Sequence, residues 1–309
     1  MATSIIIPTL NGGPTLAALL TSLPRQTHRA CETLVIDSGS TDDTADLARR
    51  FGCRLITIEP GTFDHGGTRN RAAAEAGGDI LVFLTQDVQL ITPDFLARLI
   101  APLEHGRAAA AYARQVGRDT GPATDTYLRL HNYPPGDAEV LRTAADIATL
   151  GVRAFMLSNA ASAVRRDAFE AVGRFPDHVI MNEDMLLCAR LLRAGHTVAY
   201  VPQAQVWHSH RYTLRQHMAR YFDIGVFMAR HGDELGAVAT TGGGVRFLAG
   251  QLAWLARTRR WLALIPAVMQ AAAKWLGYQL GRRYAVLPAS LCRFLSLHHH
   301  WWTKQISRR

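Results

Sequence analysis

Four short apolar runs limit what this chain can fold into. They are Ser4–Pro8 (SIIIP), Glu32–Asp37 (ETLVID), Arg54–Ile58 and Ile80–Leu84 (ILVFL). Each is five or six residues long and ends at a turn signal, as buried strands do. Between them lie helix-like stretches, beginning at Thr15 (with LAALLTSL following), over Thr44–Phe51 and over Thr68–Ala76. Strands alternating with helices at this spacing predict an α/β fold with a doubly wound, mainly parallel sheet. Ligands in such sheets sit at the carboxyl ends of the strands. Three segments therefore become candidate site residues: Thr9 to Asn11, Asp37 to Ser40, and Thr85 to Asp87.

Later residues read differently. The stretch 88–150 reads as helix and loop, with a Pro/Gly-rich segment at Asn132–Gly136. Phe155–Val164 is strand-like, Asp184–Ala194 is helical, and a strand is expected near Thr197–Val201. From about Tyr212 the pattern is helical and rich in Arg, Trp and Leu. The expected organisation is a catalytic domain over 1–210 and a basic helical extension over 211–309. A chain of 309 residues, 48% apolar, has material for one large domain with such an appendage.

Charge separates the two parts. Residues 1–204 carry 19 Lys+Arg against 22 Asp+Glu, net −3, whereas residues 205–309 carry 15 against 3, net +12. A neutral body with a basic end calls for an anionic partner. An anionic membrane surface or a lipid-linked phosphate fits; nucleic acid ranks last, because no nucleic-acid motif accompanies the charge. The longest uncharged run there, Trp261–Ala273, is 13 residues and contains Pro266, too short to span a bilayer. It reads equally as a surface-lying amphipathic helix or as a helical cap. The first residues lack a basic segment followed by a long apolar one, so no signal peptide is expected. Cys31, Cys53, Cys188 and Cys292 have no metal or redox spacing, which fits reduced thiols and a cytoplasmic chain.

Five motifs occur in order: PTLN before the first helix, DSGSTDDT after the second strand, FDHGGTRN (Phe63–Asn70), FLTQD (Phe83–Asp87) and NED (Asn182–Asp184). WHSHRYT (Trp207–Thr213) follows them. Together they resemble glycosyltransferase family 2, with its GT-A fold, and within it the bacterial rhamnosyltransferase branch. The resemblance covers roughly residues 3–225. It implies an inverting transfer of a sugar, L-rhamnose in that branch, from a nucleoside diphosphate donor to a hydroxyl of a saccharide or lipid-linked acceptor. The site would then stand at the inner face of the cytoplasmic membrane, where the basic extension would lie as a peripheral element.

The resemblance assigns roles residue by residue. Asp37 would accept the imide N–H of a uracil or thymine base in a UDP- or dTDP-sugar, with Thr9, Asn11 and Ser38 around base and ribose. An Asx turn and helix cap is the alternative at Asp37. Asp87 matches the second, metal-binding acid of the family's Asp-x-Asp motif. Thr85 replaces the first acid, and Gln86 stands between them beside the donor. A divalent cation, Mg²⁺ or Mn²⁺, would neutralise the diphosphate. Its second ligand would be His208, with His210 in reserve, since Mn²⁺ accepts an imidazole. Asp64 to Arg71 reads as a Gly-rich loop entering a helix, offering N–H groups and Arg69 and Asn70 to the donor. Asp184 would be the general base and Glu183 its supporting acid; the alternative is two acids complementing a helix dipole. Asp184 and Asp87 should then lie on opposite sides of the sugar.

Two other functions compete with transfer of a sugar. A nucleotidyltransferase of similar fold would carry a basic residue in its first Gly-rich loop, and here no Lys or Arg precedes Arg25. A non-catalytic nucleotide-sugar-binding protein would have no need of both Asp87 and Asp184.

Overall fold

The strands nearest the amino terminus form the parallel half of one sheet. In this computed structural model, which describes residues 1–117, 121–236 and 243–306, β1 (Thr3–Thr9) lies between β2 (Glu32–Asp37) and β4 (Ile80–Leu84), with β3 (Arg54–Thr57) outside β2. Helices α1 (Gly13–Ser22), α2 (Thr44–Arg50) and α3 (His65–Glu75) make the crossovers. Every residue of β1 is buried, which explains why its sequence is a continuous apolar run rather than an alternation. Ile5, Ile7, Val82 and Leu84 pack with Leu16 and Leu19 of α1 in the core. Thr9 pairs in register with Asp37, so the ends of β1 and β2 stand side by side.

Beyond β4 the sheet is mixed. The next elements are β5 (Gln89–Leu90), α4 (Phe95–Glu104) and β6 (Ala110–Val116). After them come α5 (Ala123–Asn132), β7 (Val140–Arg142), α6 (Asp146–Leu150), β8 (Ala161–Arg165), α7 (Arg166–Ala171), α8 (Glu183–Arg193) and β9 (Val198–Trp207). The strand order is β3-β2-β1-β4-β8-β6-β9-β5, with β7 also on β9. β8 runs antiparallel to both β4 and β6, β6 runs parallel to β9, and β5 and β7 pair antiparallel with β9. The mainly parallel sheet expected from the sequence is present: β1 to β4 are all parallel, and β6 with β9 adds a further parallel pair. Two other expectations need correction. The stretch 88–150, read as helix and loop, contains β6; its AAYARQV is rich in residues that favour helix in isolation, and burial in the sheet overrides them. The strand expected over Phe155–Val164 is confined to Ala161–Arg165, because Gly151–Phe155 forms a 3₁₀ turn instead.

The chain divides into two compact units. The first comprises Met1–Val116, Tyr133–Asp177 and Glu183–His208 and holds the whole sheet; the second comprises Gly117–Asn132, His178–Asn182 and Ser209–Arg309. The second unit contains α5, α9 (Leu214–His231), α10 (Gly243–Arg257), α11 (Leu264–Arg282), α12 (Ala289–Leu295) and α13 (His299–Ile306). A reciprocal capping box between Thr213 and Gln216 starts α9. Helices α9 and α11 approach closely through glycines: a Cβ at Gly277 or Gly281 would fall on the carbonyl oxygen of Met218 or Phe222. Asp223 is buried and accepts a hydrogen bond from Leu297 N at 2.9 Å; burial pushes its carboxyl up to about 7.

Arg166 ties the late strands to the early ones. Its guanidinium donates to Ala73 O, Ala76 O and Gly78 O at 2.9, 2.7 and 2.8 Å, satisfying the carbonyls at and just beyond the end of α3. Replacing it strands those carbonyls. Arg166→Met should lower stability by about 2–4 kcal/mol, measured by urea unfolding, while Arg165→Met, whose partner is the exposed Asp167, should change it by less than about 1 kcal/mol.

Candidate active site

The site is built at the carboxyl ends of β1, β2 and β4. Gln86 staples two of them: its Oε1 accepts from Thr9 Oγ1 at 2.5 Å and Leu10 N at 2.9 Å, and its Nε2 donates to Leu10 O at 3.2 Å. Asn11, at φ 47°, joins the β1 and β2 turns, with Oδ1 accepting from Thr41 N at 2.9 Å and its own N–H donating to Ser40 Oγ at 2.8 Å. Asp37 is buried and accepts from Ser40 N and Ser40 Oγ, the Asx-turn geometry. The neighbouring Ser38 hydroxyl and the Thr85 hydroxyl are buried with no hydrogen-bond partner among the described residues, and such groups mark places where a ligand can be received.

FDHGGTRN forms the start of a helix rather than a loop, which corrects the expectation of an open anion cradle. Asp64 is the N-cap of α3 and accepts from Gly67 N at 2.7 Å; Thr68 Oγ1 accepts from Asp64 N in return. One of the N–H groups at this helix start, that of Gly67, is thus already bonded. Gly66 is required by close approach, since a Cβ there would fall on Pro176 O. Asn70 clamps Phe175 through both of that residue's backbone groups, at 2.8 and 3.1 Å. Arg69 is buried and pairs with Glu183 at 3.1 Å. Both side chains expected to face the donor therefore have partners inside the first unit.

Those partners hold the acid pair. Glu183 is buried; burial alone would raise its carboxyl, but Arg69, His65 and the Asn159 amide outweigh it and hold Glu183 below the ordinary carboxylate range. Asn159 organises both acids: its Nδ2 donates to Glu183 Oε1 at 3.0 Å, and its backbone N donates to Asp184 Oδ2 at 3.1 Å. Asp184 Oδ1 also accepts from Met185 N at 2.9 Å. Burial first, and then the ionised Glu183 beside it, push Asp184 up to about 7. One acid is fixed as a carboxylate and its neighbour is poised to exchange a proton near neutral pH. Leu84 pairs with Ala161, and Thr85 N donates to Ala160 O. Asn159 and the residues after β4 therefore meet at one end of the sheet.

The same end carries an imidazole–carboxylate pair. His208 Nε2 lies 3.5 Å from Asp87 Oδ2. His208 Nδ1 donates to Gln115 Oε1 at 2.8 Å, and the buried Gln115 is itself fixed by donating to Tyr133 OH at 2.7 Å and Ser158 Oγ at 2.8 Å. The Nδ1 proton is committed to Gln115, so in the neutral ring the Nε2 lone pair is the one directed at the carboxylate, and a cation would sit between these two acceptors. His210 falls in the second unit. Gln115 and Asn159 are the candidate-site residues that sequence reasoning missed, found here through their bonds to His208, Glu183 and Asp184; both are neutral amides in segments without a motif.

Residues 4–173 match Glycosyl transferase family 2, and residues 90–305 match Glycosyl transferase family group 2. The chain is 36% identical to the O-antigen chain rhamnosyltransferase WbaN of Salmonella anatum, over 97% of this chain and 95% of that one. It is also 36% identical to the O-antigen chain rhamnosyltransferase RfbN of Salmonella typhimurium, over 98% and 96%. Among solved structures it is similar to a mannosyltransferase of Pyrobaculum calidifontis in complex with GDP-Man and Mn²⁺ (TM-score 0.63, 20% identity, 91% of this chain and 86% of that one). It is similar also to S. aureus TarS 1–349 in complex with UDP-GlcNAc (TM-score 0.54, 16% identity, 92% of each). The chain belongs to glycosyl transferase family 2, with a GT-A fold, and is a glycosyltransferase.

The buried ion pair sets a stability test. Arg69→Met leaves Glu183 charged and uncompensated, and should cost about 3–5 kcal/mol in chemical unfolding. Combining it with Glu183→Gln should recover part of that loss.

Proposed function

We propose that this glycosyltransferase is an inverting enzyme that moves L-rhamnose from a dTDP- or UDP-linked donor to a hydroxyl of a lipid-linked saccharide, in the synthesis of a cell-surface polysaccharide. The sugar and the pathway are supported by the two O-antigen rhamnosyltransferases that match nearly its full length. The mechanism rests on one observation above the others: buried Asp184, oriented by Asn159 N and pushed up to about 7 beside a Glu183 that Arg69 holds below the ordinary carboxylate range.

Asp184 accepts the proton of the acceptor hydroxyl as its oxygen attacks the anomeric carbon. The bond from that carbon to the diphosphate breaks on the opposite face. Asp87 stands on the diphosphate side and Asp184 on the acceptor side. Asp37 takes the imide N–H of the base. Thr9, Asn11 and Ser38 shape the base and ribose subsite, and Gln86 holds the strand ends that carry it. Arg69 and Asn70 serve the site by fixing Glu183 and the Phe175 segment.

A divalent cation, Mg²⁺ or Mn²⁺, fits the donor set of Asp87 and His208: a hard oxygen and a neutral imidazole nitrogen, already tautomer-fixed by Gln115. Bound there, it would neutralise charge on the departing diphosphate. The transfer takes place on the cytoplasmic side, with the basic 205–309 segment against an anionic membrane.

The deciding experiment follows nucleoside diphosphate release from dTDP-rhamnose, UDP-sugars and GDP-sugars, with a lipid-linked acceptor. Release from the dTDP or UDP donors is expected, and preference for GDP donors would overturn the base assignment. Asp184→Asn should reduce transfer ~10²–10⁴-fold while donor affinity stays near wild type. A base must be ionised to act, so wild-type kcat/KM should fall as pH drops below about 7, and a flat profile would remove Asp184 from the role.

Gln115→Leu frees the His208 tautomer and should weaken Mn²⁺ binding about 10–100-fold, read by calorimetry without any turnover. Unchanged Mn²⁺ affinity would show that the imidazole is not a ligand.

A further inference from the structure

Helix α11 has one closed face and one open one. On the closed face Ala267, Gly277 and Gly281 are buried, the two glycines against α9. On the opposite face Ile265, Val268, Met269 and Trp275 are exposed, and Trp261 and Leu262 of the preceding 3₁₀ turn extend the same line. Leu262 is 96% exposed, Ile265 73%, Trp275 65% and Trp261 59%. Positions 261, 265, 268/269 and 275 recur at the helical repeat, so they form a stripe rather than scattered exposures. Folding leaves this much apolar side chain in water only where something else covers it.

The charges around the stripe identify the cover. Arg257, Arg259 and Arg260 are exposed at its start, and Arg282 and Arg283 at its end. From Leu235 to Arg309 the sequence has eleven Lys and Arg and no Asp or Glu. A second copy seated on this face would set one all-basic segment against another, with no acid between them. A nucleic acid would satisfy the arginines and leave the leucine, isoleucine and tryptophans in water. An anionic bilayer satisfies both, since phosphates meet the arginines, acyl chains meet the stripe, and Trp is favoured at that boundary. No described helix is long and apolar enough to cross a membrane.

We infer that α11 lies flat in the headgroup region of an anionic phospholipid bilayer, with Trp261, Leu262, Ile265, Val268, Met269 and Trp275 inserted and the arginines at both ends on lipid phosphate. This rests on the reading that the enzyme works at a membrane surface, and it names the element that makes the contact.

The test is flotation of the full-length protein with phosphatidylglycerol-containing vesicles and with phosphatidylcholine alone, at low and high salt. The wild-type protein should float with the anionic vesicles, less so at high salt, and hardly at all with the neutral ones. Leu262→Glu with Ile265→Glu should reduce partitioning on the order of 10–100-fold. Arg282→Gln with Arg283→Gln should reduce it about fivefold per charge. Thermal unfolding and dTDP affinity, both unchanged in the variants, show that the fold is intact. If the wild-type protein fails to float at low salt, the membrane reading and this inference both fall. If the wild-type and Leu262→Glu/Ile265→Glu proteins float equally, the membrane reading stands and α11 is not the contact. If that double variant instead converts a wild-type dimer to a monomer in sedimentation and leaves flotation unchanged, the stripe is a self-interface and the inference is overturned.

Discussion

The end of the sheet that carries the candidate site depends on the buried pair of Arg69 and Glu183. A carboxylate taken wholly out of water is tolerable only with a paired cation and filled hydrogen-bond sites, and Glu183 has both, from Arg69 and the Asn159 amide. Much of FDHGGTRN follows from that requirement. Asp64 and Thr68 start the helix that carries Arg69, Gly66 lets the Pro176 backbone pass, and Asn70 holds Phe175 next to it. Because Glu183 is fixed as an anion, its neighbour Asp184 meets a negative field, and that field together with burial puts the Asp184 proton in reach of neutral pH. A structural ion pair thus sets the chemistry of the residue beside it.

The second half of the site follows the same logic with a different arrangement. Gln115 is buried in β6 and has each end of its amide committed, one to His208 and the other to Tyr133 and Ser158. A rigid amide of this kind decides which imidazole nitrogen keeps its lone pair. The Asp87 and His208 side chains come from chain segments more than a hundred residues apart, and the β6–β9 and β5–β9 pairings bring them together.

How much of this was legible in the sequence depended on the kind of signal. β2 and β4 were placed residue for residue, because apolar runs bounded by turns leave little choice. β6 was hidden by alanines and by Arg114 and Gln115, whose local preference is helical and whose strand conformation comes from neighbours. The paired glycines of FDHGGTRN suggested a loop, since glycine weakens a helix; the approach of Pro176 explains Gly66 inside one, and Gly67 is crowded instead by the Asp64 and Asp177 side chains. Acids at strand ends or helix starts, such as Asp37, Asp87 and Asp184, announced themselves as candidates. Asn159 and Gln115 did not, because a neutral amide acquires its importance from what surrounds it.

The reach of Arg166 back to residues 73–78 has a consequence for the order in which the protein can be made. As the chain leaves the ribosome, β1 to β4 and their helices are complete long before residue 166 appears. Through that interval the carbonyls after α3 have only water as partner, and the outer edge of β4 waits for Ala161–Arg165. An apolar strand with an open edge is the form in which nascent chains join one another. While some eighty residues after β4 are being synthesised, that edge of the parallel half-sheet has no neighbour, and it is covered only once β8 and Arg166 are available.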